Sequence, residues 1–280
     1  MCKKRKVAIQ GEKGSFHDLA AKYLLGSEKI EIVPCSTFNN TINSVLAGNA
    51  DCAVMAIENA RSGSILYNYN LIRESGLKIL REIKLAIRQN LMALHGESLE
   101  TITAVRSHPI AIAQCMEFLN SVPGLTLIET EDTAGSARLI SEQKLTATAT
   151  IASAGAAEIY GLKILARGIE TYKKNYTRFH LIGKESETDN TGDKASICFA
   201  TGHKPGSLAR VLHILAEMDI NLSKIQSVPR LNGDWEYMFY LDLELSEKTN
   251  IDLIVAALSD HTSNLEILGI YRKDNSLYEC

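Results

Sequence analysis

Five short stretches hold the side chains that could act on a small ligand. The first, Gly11-Glu12-Lys13-Gly14-Ser15-Phe16-His17, lies between an apolar run and a helical pattern. Its glycines permit close backbone approach, and a helix start offers free N–H groups to an anion. A turn of this kind serves equally well as plain structure. The second, Ile57-Glu58-Asn59-Ala60-Arg61-Ser62-Gly63-Ser64, places a carboxyl and an amide at a strand end. Glu58 can be a general acid or can fix a loop, and Asn59 offers both donor and acceptor to a ligand hydroxyl. The third is Ser107-His108-Pro109 with Gln114 about a helical turn later, where His108 reads as a cap or packing residue before it reads as a base. The fourth, Thr133-Ala134-Gly135-Ser136-Ala137, reads as an N-cap followed by small packing residues. The fifth is Asn175-Tyr176-Thr177-Arg178-Phe179, in strand-like form. In a strand Thr177 and Phe179 share a face and Arg178 takes the other. In isolation this stretch favours a plain structural reading. Arg178 is either a carboxylate clamp, since a guanidinium fork matches that geometry, or half of a buried ion pair.

Short Val- and Ile-rich runs alternate with helical patterns over the first half: Val7 to Gln10, Phe16 to Leu25, Ile30 to Cys35, Phe38 to Ala47 and Cys52 to Ile57. This is an α/β pattern. Ser15 with Asp18 forms a capping-box signal, and Gly26 ends the same helix. A second set follows residue 80: strands at Leu91, Ala104, Leu125 and Ala147, with helices opened by Pro109 and Thr133. Two α/β lobes with a binding cleft between them fit this count of elements. Residues 185–193 are polar and acidic without periodicity and read as a linker. Beyond it come strand, helix, strand, an Asn232-Gly233 turn, strand, helix and strand, the ferredoxin-like βαββαβ order. The expected domains are therefore 1–184, a two-lobed unit, and 194–280.

A chain of 280 residues, 45% hydrophobic and 22% charged, has room for more than one folded domain and little for disorder. A formal charge of -3 with interleaved signs advertises no nucleic-acid surface. The basic run Lys3 to Lys6 reads as a solvated stub before the first strand. No apolar segment has the length of a signal-peptide core or a membrane span, so a cytoplasmic location is expected. The six cysteines form no C-x-x-C pair and have no histidine at zinc-ligand spacing, so buried thiols are expected rather than disulfides or a metal centre.

Together and in this order, the glycine turn, "IENxxxGS", "SHPIAIAQC", "TAGSA", "ATIASAGAAEIYGLKIL" and above all "NYTRF" resemble the prephenate dehydratases over essentially the whole chain. The resemblance implies a catalytic domain folded like a periplasmic binding protein, an active site between its lobes, and no metal or organic cofactor. It places the family's functional positions on Asn59, Ser107, Gln114, Thr177, Arg178 and Phe179, with Glu58, Thr133 and Ser136 as additions. Two positions depart: the family commonly has Pro before and Ser after the Ile-Glu-Asn triplet, and here Ala56 and Ala60 stand there. The implied reaction expels a ring carboxylate as CO₂ together with the ring hydroxide. The resemblance implies that Thr177 faces the substrate, with Phe179 walling the site. Thr177 is expected to donate to the departing oxygen, with Asn59 and Gln114 orienting the hydroxyl.

The C-terminal segment resembles ACT domains that bind phenylalanine. Gly206-Ser207-Leu208-Ala209 corresponds to "GALA", and Gln226-Ser227-Val228-Pro229 to "ESRP" with Gln226 for Glu and Val228 for Arg. Phenylalanine is the implied effector, with Asn221 contacting its polar end, and a homodimer or homotetramer is implied. A purely structural, dimerising ACT domain stays open. So does arogenate as substrate, because "GSILYNYNLI" is similar to the plant arogenate enzymes. A non-catalytic small-molecule sensor is the alternative from another class.

Overall fold

The computed structural model describes residues 4–188, 191–229, 237–246, 249–274 and 276–278. The first apolar runs become parallel strands covered by helices: β1 (Arg5–Gln10), α1 (Phe16–Leu25), β2 (Ile30–Cys35), α2 (Phe38–Leu46) and β3 (Cys52–Asn59), with β1 between β2 and β3. Val7 to Ile9 and Cys52 to Val54 are fully buried, as expected for strands covered on both faces. Ser15 caps α1 by accepting from the Asp18 N–H. The Asp18 carboxylate reaches back to the Gly14 N–H at 2.6 Å, one residue earlier than in a standard capping box.

The chain continues through β4 (Gly63–Ser64), α3 (Leu66–Ser75) and β5 (Lys78–Ala86). A second sheet follows from β6 (Asn90–Ala93), β7 (Ala104–Ser107), β8 (Thr126–Glu129), β9 (Thr148–Ala152) and β10 (Lys163–Ala166), in the order β10-β6-β9-β7-β8. Its helices are α4 (Pro109–Gln114), α5 (Met116–Asn120), α6 (Thr133–Gln143) and α7 (Ala154–Tyr160). Pro109 takes the first position of α4 and His108 is its cap. The cap of α6 is Asp132, whose carboxylate accepts from the Gly135 N–H at 2.7 Å. The expected cap, Thr133, is the first helical residue instead, because the carboxylate one residue earlier is the better acceptor for the free N–H groups.

Strand β11 (Tyr176–Gly183) then returns to the first sheet, between β3 and β5. The C-terminal part consists of β12 (Lys194–Ala200), α8 (Ser207–Glu217), β13 (Asn221–Pro229), β14 (Tyr237–Glu244), α9 (Ile251–Ser259) and β15 (Ser263–Tyr271), with β16 (Leu277–Tyr278) beside β5 in the first sheet. The order β13-β14-β12-β15, antiparallel throughout, is ferredoxin-like. Its core joins Ile197, Phe199, Val211, Leu215, Leu241 and Ile254. The Asn232-Gly233 turn lies outside the described residues.

The chain divides into two compact units. One comprises Met1–Asn68, Ile83–Leu181 and Asn275–Cys280, and the other Tyr69–Glu82 and Ile182–Asp274. Both α/β sheets belong mainly to the first unit. Cys35, Cys52, Cys115 and Cys198 are in no disulfide, and burial pushes the thiols of Cys115 and Cys198 up to about 12. Among the described residues no helix is long and apolar enough to cross a membrane, and no cluster of three metal-ligating side chains occurs.

Candidate active site

The end of β3 and the start of β11 lie side by side, and this brings three of the five stretches together. Asn59 Oδ1 accepts from the backbone N–H groups of Arg61 and Ser62, both at 2.9 Å. Its Nδ2 faces Asn175 Oδ1 at 2.8 Å, Thr177 Oγ1 at 2.9 Å and the Tyr176 carbonyl at 3.2 Å. Asn175 Nδ2 in turn donates to Gln114 Oε1 at 3.0 Å, which also takes a longer bond of 3.4 Å from Gln89 Nε2. Asn175 and Thr177 are buried. The result is a chain of neutral amides ending on a hydroxyl, beside a cavity of about 400 Å³ whose lining includes Arg61, Gln114, Glu170, Tyr172 and Asn175.

The two faces of β11 separate as strand geometry requires. Arg178 is buried and its Nε lies 3.0 Å from Glu58 Oε1, next to a cavity of about 250 Å³ that Tyr176 and Lys84 also line. On the other face, Phe179 meets the His17 ring edge-on with centroids 5.1 Å apart, and His17 also packs on Phe38. Burial holds the His17 imidazole down to about 4, so it is neutral at physiological pH and its Nε2 accepts from the Ala56 N–H at 3.3 Å. His17 thus supports the wall behind Phe179.

Ser107 is fully buried and its hydroxyl donates to the Ile151 carbonyl at 2.7 Å, which ties β7 to β9. Thr133 and Ser136 sit on α6; the Ser136 hydroxyl bonds Thr130 at 2.6 Å and the Asp132 carbonyl at 3.0 Å. No bond joins these residues to the amide chain. The glycine turn approaches protein backbone: a Cβ on Gly14 would lie 2.8 Å from Ala156 Cα, and Ser153 donates to the Gly14 carbonyl at 2.5 Å. A separate cleft of about 370 Å³ lies where Gly11 and Glu12 meet Asp132, Ser136 and Arg138.

Sequence reasoning passed over four contributors. Asn175 was visible only as the first letter of its motif. Gln89 and Glu170 lie in stretches without a signature, yet the buried Glu170 carboxylate accepts the Gln89 N–H at 2.9 Å and pairs with Arg88 at 3.3 Å. The Arg61 guanidinium carbon lies over the Tyr172 ring, 3.6 Å from its centroid, and Arg61 has no acidic partner among the described residues. A guanidinium held over an aromatic ring keeps its charge and N–H groups for an anion.

In the second unit, Gly206 adopts φ +82° as the cap of α8, and Gly206, Ser207, Leu208 and Ala209 line a cavity of about 480 Å³ with Tyr237 and Phe239. Ser227 pairs with Phe239, at this end of the sheet. Gln226 Nε2 bonds the Ser227 carbonyl at 3.0 Å. Asn221 opens the same strand at its far end and donates to Glu244 at 2.9 Å; five intervening residues of strand, a span of about 20 Å, separate it from Ser227.

The family model described as prephenate dehydratase matches residues 7–187. A relative in Arabidopsis thaliana, arogenate dehydratase/prephenate dehydratase 2 (chloroplastic), is 36% identical over 97% of this chain and 74% of its own length. Among solved structures, a prephenate dehydratase from Arthrobacter aurescens in complex with L-Phe is 26% identical, with TM-score 0.84 over 96% of this chain and 90% of that one. A structure described as a novel type of quorum quenching acylase is 29% identical, with TM-score 0.87 over 97% and 99%.

Proposed function

We propose, from the premise that this chain belongs to the prephenate dehydratase family and is a lyase acting on prephenate or arogenate, that its own substrate is prephenate. The observation that carries the choice is Arg61. Prephenate is a dianion whose side chain ends in a keto acid, whereas arogenate carries an ammonium group on that side chain. A guanidinium without an acidic partner among the described residues, at a cavity lined by Gln114 and Asn175, favours the dianion by simple Coulomb attraction. Arg178, engaged by Glu58, then acts on the strand and on the loop around Asn59.

The chemistry asked of the protein is modest. The bond from the ring to its carboxylate carbon breaks and CO₂ departs. That electron pair enters the ring, and the bond to the ring oxygen breaks with its pair on hydroxide. Charge is conserved as dianion to phenylpyruvate monoanion plus hydroxide, which solvent protonates to water. Thr177 donates a hydrogen bond to the departing oxygen, and the amides hold it in place, so negative charge develops against fixed donors. No electron sink or Lewis acid enters this route, so the reaction runs without a cofactor. An acyl-transfer reading is less well supported, because the protein partner of the Thr177 hydroxyl is an amide donor rather than a base.

The catalytic domain spans 1–184 and an ACT domain 194–280, in this reading, with 185–193 between them. Phenylalanine is the effector of the ACT domain. The relative bound to L-Phe supports this, as does the apolar cavity at the start of α8, where backbone N–H groups can receive a carboxylate. A cytoplasmic location and a homodimer or homotetramer go with it. The test is a side-by-side assay of purified protein on prephenate, arogenate and an N-acyl homoserine lactone. Formation of phenylpyruvate with the highest kcat/KM on prephenate is expected. Faster turnover of arogenate would overturn the substrate choice, and turnover of the lactone alone would overturn the lyase reading.

A further inference from the structure

The amide chain has a direction, and one end of it is fixed by the backbone. The N–H groups of Arg61 and Ser62 can only donate, so the side-chain atom of Asn59 that meets them at 2.9 Å must be its oxygen. Asn59 Nδ2 is thereby turned toward Asn175 and Thr177. Asn175 must then answer with its oxygen, which leaves its NH₂ facing Gln114, and Gln114 must answer with Oε1. Two consequences follow at the far ends. Gln114 Nε2 is turned away from the chain and has no protein partner among the described residues, at the lining of the cavity of about 400 Å³. Thr177 Oγ1 accepts from Asn59, so its own proton is free for a ligand.

We propose that Asn175 is a positioning residue that transmits this polarity from the Asn59 turn to Gln114, so that Gln114 presents a hydrogen-bond donor to the substrate at the cavity it lines. This rests on the dehydratase reading of the site. The residue is well placed to do so. It is 1% exposed, and its carbonyl accepts from the Ile87 N–H at 2.8 Å, which holds the backbone while the side chain bridges. An amide is the one neutral side chain of this size that accepts on one side and donates on the other. Serine is too short to span both partners. A carboxylate would accept from Asn59 but would set lone pairs against Gln114 Oε1.

The test is Asn175→Asp, nearly identical in shape. Above the titration of the new carboxyl, Gln114 must turn its NH₂ inward to meet it, and a donor is lost from the substrate side. We expect kcat to fall on the order of 10²-fold at neutral pH, the scale for losing a preorganised donor, in a protein that still folds but with a lowered midpoint of thermal unfolding, because the new carboxylate is buried. As pH falls, protonation supplies an O–H that can donate to Gln114, and the kcat ratio of variant to wild type should rise. A purely structural role would give a ratio independent of pH, and that result contradicts the proposal. A readout apart from turnover is the side-chain NH₂ resonances of Gln114, identified by their loss in Gln114→Glu. They should shift in Asn175→Asp at neutral pH and return toward the wild-type position in acid. Unmoved resonances would overturn the assigned polarity even if the wild-type enzyme proved active on another substrate.

Discussion

Two buried polar clusters organise this molecule, and they are built from opposite materials. At the site in the first unit, Asn59, Asn175, Gln114 and Thr177 are neutral, and they order themselves by alternating donor and acceptor. In the second unit the cluster is ionic. Lys194 Nζ lies 2.8 and 3.1 Å from the two oxygens of Glu82 and 3.6 Å from Asp242 Oδ2, with Ser196 bridging Asp242 and the Tyr271 hydroxyl. Lys194, Glu82 and Asp242 are each under 5% exposed. Neutral amides carry a small desolvation penalty and leave donors to spare for a ligand. Buried ions cost several kcal/mol each to desolvate and so must direct their bonding to one another. The first arrangement suits chemistry on an anion. The second suits fastening the segment Tyr69–Glu82 to the sheet that contains β12.

This contrast can be broken in several places. The largest effect is expected at Lys194: Lys194→Ala leaves two carboxylates buried without their cation and should lower the unfolding free energy by about 3–5 kcal/mol, measured by urea titration. A loss under about 1 kcal/mol, the range of surface pairs, would show that the ionic cluster fastens nothing.

Next is His17, whose imidazole burial holds down to about 4 from an ordinary value near 6.5. Between these values the unfolded chain binds more protons than the folded one, so stability is fully present above about pH 6.5 and declines as pH falls toward 4. The decline attributable to His17 should reach at most about 3 kcal/mol, and His17→Gln should flatten the slope in that window.

Arg61→Ala should raise KM for prephenate about 10-fold, the worth of a hydrogen bond to a charged partner, while kcat stays near its wild-type value. The same substitution should weigh less on arogenate. Equal penalties on both substrates would separate Arg61 from the substrate choice. A further effect is regulatory. Millimolar phenylalanine should bind the full chain by calorimetry and lower activity with a coupling of about 1–3 kcal/mol. Binding without inhibition would reduce the cavity at α8 to a passive site.

Much of this architecture was legible in the amino acids. The start of α1 at Phe16 and the extent of β2 follow from periodicity and caps, because those signals are local. Strand alternation also foretold that Thr177 and Phe179 would part from Arg178. What stayed hidden is non-local. Asn59 and Asn175 are 116 residues apart, and their types reveal neither that they touch nor which atom faces which. Lys194 and Glu82 are 112 apart, and the grouping of Tyr69–Glu82 with residues beyond 182 interrupts what reads as one continuous domain. The Asp132 cap was missed for a local reason: Asp and Thr are both good caps in adjacent positions, and only geometry chooses between them.

The central claim is that a neutral hydroxyl, oriented by amides, carries the elimination. Steady-state kinetics of Thr177→Ala on prephenate, with thermal unfolding measured on the same preparation, tests it most directly. The predicted result is a folded protein whose kcat falls on the order of 10²-fold or more, with KM and the unfolding midpoint close to wild type. A folded Thr177→Ala variant with near-normal turnover would contradict it.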